Sequence, residues 1–108
     1  MIQIEGKITR ILPIQTYETK KGRTFRKCEM WISLSEYDEQ TGVTNLRPEA
    51  QSITVEARND KAEEIEADYK VGEYVSVKLD IYGQVFRNRN GAEACRNTLV
   101  IRSIWPKE

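Results

Sequence analysis

The chain has 108 residues, of which 17 are basic and 17 acidic, so its formal charge is zero, and it contains no histidine. A chain of this length builds one hydrophobic core and not two. The balanced charge excludes a uniformly cationic coat for duplex DNA, and the missing histidine removes the commonest general base and metal ligand.

Ile2, Ile4 and Ile8 alternate with Gln3, Glu5, Lys7 and Thr9, which marks a half-buried first strand, and Gly6 inside it signals a bulge or tight bend. Ile11, Leu12, Pro13 and Ile14 break the phase. Thr19 to Arg23, with Gly22, reads as a hairpin tip that returns through a second strand, Thr24 to Leu34. Side chains alternate along a strand, so Phe25, Lys27 and Trp31 share one face while Cys28, Met30, Ile32 and Leu34 share the other. The second face reads as core, and the first as a stacking platform with charge beside it.

Residues 35–51, with Gly42, Asn45 and Pro48 among charges, form an extended loop or hairpin. Ile53, Val55 and Ala57 alternate with Thr54, Glu56 and Arg58 as a third strand. Asn59 or Asp60 is placed to cap a short helix through Ala62, Ile65, Ala67 and Tyr69, and Val71-Gly72 ends it. Tyr74 to Gln84 is a fourth strand with Val75, Val77, Leu79 and Ile81 on one face. Residues 84–97 form a basic loop turning at Asn90-Gly91, and a final strand runs from Thr98 to Trp105.

Three strands, a short helix and two more strands give an all-β class with one helix, in a single domain over residues 1–108. This is the order of the OB-fold, a five-stranded Greek-key barrel with its helix between strands three and four, which binds oligonucleotides along strands two and three between two flanking loops. Charge follows the same plan. From Glu36 to Asp68 ten acids face only Arg47, Arg58 and Lys61, whereas the stretches from Lys20 to Lys27 and from Phe86 to Arg102 are basic. The barrel brings those two basic stretches to one groove despite the neutral total.

The sequence also resembles a family, the bacterial single-stranded DNA-binding proteins and primosomal replication proteins. The resemblance rests on the opening IEGKIT followed by Pro13, on the hairpin with Gly22, and on ITVEARNDKAEEIEADYKVGEYVSVKLDIYGQVFRNRNG. It implies stacking of bases on aromatics of strand two and of the last hairpin, positions matched by Phe25, Trp31 and Phe86. The third strand departs from the family, since Gln51 to Arg58 carries no aromatic. The acidic-tipped tail of many members has no counterpart after Trp105, which suits a small accessory protein.

The expected nucleic-acid-binding set is therefore Lys20, Lys21, Arg23, Phe25, Lys27, Trp31, Phe86, Arg87, Arg89 and Arg96, the cations neutralising phosphates and the rings stacking bases. The expected ligand is single-stranded DNA or RNA, bound without regard to sequence by a homo-oligomer. Trp31 fits a stacking platform, or else a subunit interface or core position, Tyr17 and Tyr82 fit covers for the barrel ends, and Trp105 fits a packing residue. The neutral total and the bare third strand leave a second reading open, a protein-interaction module with no nucleic-acid role. No nucleophile with a base, phosphate loop or paired carboxylates suggests an enzyme, and no metal or cofactor is expected. Cys28 and Cys95 lack the spacing of a zinc site or disulfide framework, and no apolar run has the length of a membrane span, so a reducing cytoplasm is the expected compartment.

Overall fold

A computed structural model describes residues 2–38, 43–46 and 52–107. The described chain runs β1 (Ile2–Ile11), β2 (Gln15–Glu18), β3 (Thr24–Asp38), β4 (Val43–Leu46), β5 (Ser52–Arg58), α1 (Asp60–Asp68), β6 (Tyr74–Arg87) and β7 (Glu93–Pro106). Strand β1 pairs antiparallel with β6 through residues 2–7 and with β3 through residues 6–11, so it joins the two halves of the sheet. With β3–β5, β5–β7 and β6–β7 pairings the five long strands close on themselves, and β2 and β4 extend β3 at its two ends. This is the expected OB-fold order.

The core is the inward half of each alternating pattern. Ile8, Cys28, Met30, Ile32, Val55, Ala57, Val75, Val77 and Leu79 are all buried, and Ala62 and Ile65 of α1 plug the same core. Removing these side chains from water is the main favourable term in folding. Tyr69, just past α1, is buried and its hydroxyl donates to the Ile104 carbonyl at 3.2 Å, tying the helix to β7. No helix among the described residues is long and apolar enough to cross a membrane.

Several local expectations change. The bulge falls at Thr9, between Ile8 and Arg10, and not at Gly6. Gly6 answers to a close approach instead: a Cβ there would stand 2.3 Å from the Ser33 carbonyl oxygen, where β1 is paired on both sides. Asn59 precedes α1 but its side chain caps nothing in the helix; its Oδ1 accepts from the Arg26 amide at 3.1 Å while its own amide donates to the Arg26 carbonyl at 2.8 Å. The β3–β5 ladder is thus prolonged by one step beyond the Lys27–Arg58 pair. Ala67 is exposed on α1.

The basic segment 84–97 is mostly a strand pair and not a loop. Strands β6 and β7 stay in register out to the Arg87–Glu93 pair, and only residues 88–92 turn, with Gly91 at φ +77°. Ile81, expected in the core, is 53 % exposed because this arm has already left the barrel at that point. Within 35–51, β3 and β4 pair from Ser35–Leu46 to Asp38–Val43, as a hairpin extension; residues 39–42 and 47–51 lie outside the described set.

Candidate nucleic-acid interface

The seam that closes the barrel also opens a groove. Strands β5 and β7 are parallel and meet at a single register position, Glu56–Val100, so the β6–β7 arm diverges from β5 beyond it. The gap has a volume of about 580 Å³, with Lys27 and Glu29 of β3 and Thr54 and Glu56 of β5 on one wall and Gln84 and Arg96 of the arm on the other.

Beside this groove aromatic and guanidinium groups line up across four strands. Tyr17 and Phe25 are directly opposed on β2 and β3, their ring centroids 6.5 Å apart. The Arg58 guanidinium of β5 lies 5.7 Å from the centre of the Phe25 ring and 5.4 Å from that of Tyr82 on β6. A planar cation over an aromatic face is attracted by the ring quadrupole. Glu56, with only 14 % of its side chain exposed, fixes the arrangement: it accepts from Arg58 Nε at 2.5 Å and lies 3.4 Å from Lys27 Nζ.

The expected site residues divide by position. Phe25, Lys27 and Arg96 come together around the groove. Lys20, Lys21 and Arg23 are exposed at the β2–β3 turn, whose tip is closed by Thr19 and by Gly22 at φ +76°. Phe86 is 37 % exposed on the arm with the Arg96 guanidinium 5.5 Å from its ring, while Arg87 donates to the Gly91 carbonyl at 3.2 Å and Arg89 stands in the exposed turn. Trp31 shares the outward face of β3 with Phe25 but is six residues further on, about 20 Å along the strand. It lines a separate pocket of about 400 Å³ with Thr9, Arg10 and Ser52. There the Arg10 guanidinium lies 4.9 Å over its ring, and its Nε1 donates to Glu29 Oε2 at 3.2 Å.

Sequence reasoning missed Arg58 and misplaced two tyrosines. In the sequence Arg58 stands among the acids of the middle segment, at the end of a third strand that carries no aromatic. Tyr17 and Tyr82 do not cover barrel ends; they are 46 % and 53 % exposed and flank the groove. Trp105, expected as packing, is 37 % exposed near the end of β7, opposite Ser76, with Lys78 Nζ 5.6 Å from its ring. The two thiols differ sharply. Cys28 is buried beneath β3 and its pKa is raised above 9.0 by burial, then by Glu66 and Glu29, whereas Cys95 is exposed on the arm. Among the described residues no group of three or more histidine, cysteine or carboxylate side chains is placed to hold a metal.

No protein-family model and no curated protein matches the chain. Solved structures do match over nearly its whole length. The mitochondrial single-stranded DNA-binding protein of S. cerevisiae is similar with a TM-score of 0.59 at 18 % identity, covering 97 % of this chain and 91 % of that one. The small single-stranded DNA-binding protein of Streptomyces coelicolor has a TM-score of 0.52 at 14 % identity, covering 98 % and 92 %. The second OB-fold domain of replication protein A from Methanococcus maripaludis has a TM-score of 0.55 at 16 % identity, covering 98 % and 82 %. At such identities the likeness establishes the OB-fold of this chain.

Proposed function

We propose that this protein binds single-stranded nucleic acid, with DNA as its principal ligand, tolerating any sequence and catalysing no reaction. The observation that carries the reading is the row Tyr17, Phe25, Arg58 and Tyr82 running beside an open groove on strands β3 and β5. Bases stack on such a surface irrespective of identity, each contributing about 1 to 3 kcal/mol, and a duplex hides the faces it would need to offer. Arginine planes serve this purpose as well as rings do. Lys27 and Arg96 at the groove, with Lys20, Lys21, Arg23, Arg87 and Arg89 at the two hairpin tips, supply contacts for phosphates. The single-stranded DNA-binding proteins among the structural neighbours support the same ligand class.

One short row gives modest affinity, so the working unit is a homo-oligomer that joins several rows, acting as an accessory protein in the cytoplasm. Sedimentation at micromolar concentration tests the assembly. The function is tested by titrating a fluorescent oligothymidine at low and high salt against the native protein and a Phe25→Ala, Arg58→Ala variant. Binding that weakens with salt, by about 0.7 logarithmic unit per phosphate contact, and that is lost in the variant is expected. Absence of binding at low salt rejects the reading. It would favour the protein-interaction module, for which the mixture of Glu29 and Glu56 with Lys27 and Arg96 in the groove is the supporting feature.

A further inference from the structure

Glu29 and Glu56 are directly opposed on β3 and β5 and both line the groove. Like charges placed so are unfavourable, and among the described residues only Glu56 has a cation within ion-pair distance. Glu56 is enclosed by Lys27 and Arg58. Glu29 receives the Trp31 indole N–H on Oε2, and among the described residues no donor reaches its Oε1. An acceptor with no proton of its own therefore stands in the wall of a groove whose neighbouring surfaces are built for flat rings.

A single strand in this groove cannot turn its phosphates toward Glu29 without repulsion, so it turns its bases there. We infer that Glu29 is a specificity-determining residue, favouring bases that carry an exocyclic amino group over thymine; this rests on the single-strand reading above. A carboxylate accepts from the N4 amino group of cytosine, or from the amino groups of adenine and guanine, whereas the single donor of thymine, N3–H, stands between two carbonyl oxygens that repel a carboxylate. Stacking tolerates every base, and Glu29 grades them.

The test compares oligothymidine and oligodeoxycytidine of equal length, at neutral pH and fixed salt, on the native protein and on Glu29→Gln. Glutamine keeps the size, still accepts the Trp31 N–H, and can both donate and accept, so it loses the discrimination. The ratio of Kd for oligothymidine to Kd for oligodeoxycytidine is expected to fall about three- to tenfold in the variant, the worth of one hydrogen bond. An oligomer of N4,N4-dimethylcytosine, which has lost both donors, is expected to bind the native protein no more tightly than oligothymidine does. An unchanged ratio, or equal tightening for both oligomers, overturns the inference and leaves single-strand binding standing. Failure of the native protein to bind either oligomer overturns the binding reading itself.

Discussion

Strand β3 presents two aromatic side chains on the same outward face, Phe25 near its start and Trp31 at its middle, in different surroundings. At Phe25, the ring shares its surroundings with Tyr17, Arg58 and Tyr82 from three other strands, and a groove lies alongside. At Trp31, Arg10 lies over the ring and Glu29 takes its only donor. Each ring thus lies under a guanidinium, and the two differ in what else surrounds them. Trp31 is the larger ring, but Phe25 is the one proposed as platform, because it stands in a row with Tyr17, Arg58 and Tyr82.

That contrast can be broken most directly by truncation. Phe25→Ala is expected to weaken oligothymidine binding at least about tenfold, the range of one stacked base, whereas Trp31→Ala weakens it about threefold or less. A larger loss from Trp31 in fluorescence titration would reverse the ranking of the two rings. Next in size, Arg58→Lys retains the charge and loses the plane, so about 1 kcal/mol of affinity should disappear with the salt dependence unchanged. A lower salt slope with unchanged affinity at low salt would show Arg58 to be a phosphate contact and the row at Phe25 to be incidental.

A smaller effect separates the turn cations from both rings. Replacing Lys20 and Lys21 by alanine should lower the salt slope by about 0.7 for each phosphate contact removed, with no change in the difference between Phe25→Ala and Trp31→Ala. The smallest effect concerns the wall they share. Cys28 lies inward between Lys27 and Glu29, and its raised pKa means that the folded protein favours the neutral thiol. Its contribution to stability is complete below the unfolded thiol pKa, near 9.0, and is lost as pH rises through the higher folded value. Denaturation midpoints should fall above that pH less steeply in Cys28→Ala. A thiol reagent should modify Cys95 quickly and Cys28 only on unfolding.

The inward half of the barrel was legible in residue order because burial imposes a period of two. Cys28, Met30, Ile32, Val55, Val75, Val77 and Leu79 all lie where the alternation puts them. Gly22 and Asn90-Gly91 marked their turns through the left-handed conformation that glycine tolerates. Ile81 broke the rule because alternation continues along the β6–β7 arm after the barrel beneath it has ended. Gly6 carried a signal of the wrong kind: its missing side chain reflects a strand paired on both sides, which no local pattern encodes.

Residue order by itself determined the strand sequence, the core face and the basic segments, since each depends on spacing within one element. Only the tertiary structure decided what the outer face does. The groove exists because one parallel pairing, Glu56 to Val100, ends where the arm diverges, and its platform exists because Arg58, Tyr17 and Tyr82 converge on Phe25 from separate strands. Those are relations between residues far apart in the chain, fixed by strand register and closure, and they turn an arginine among acids into the centre of the candidate site.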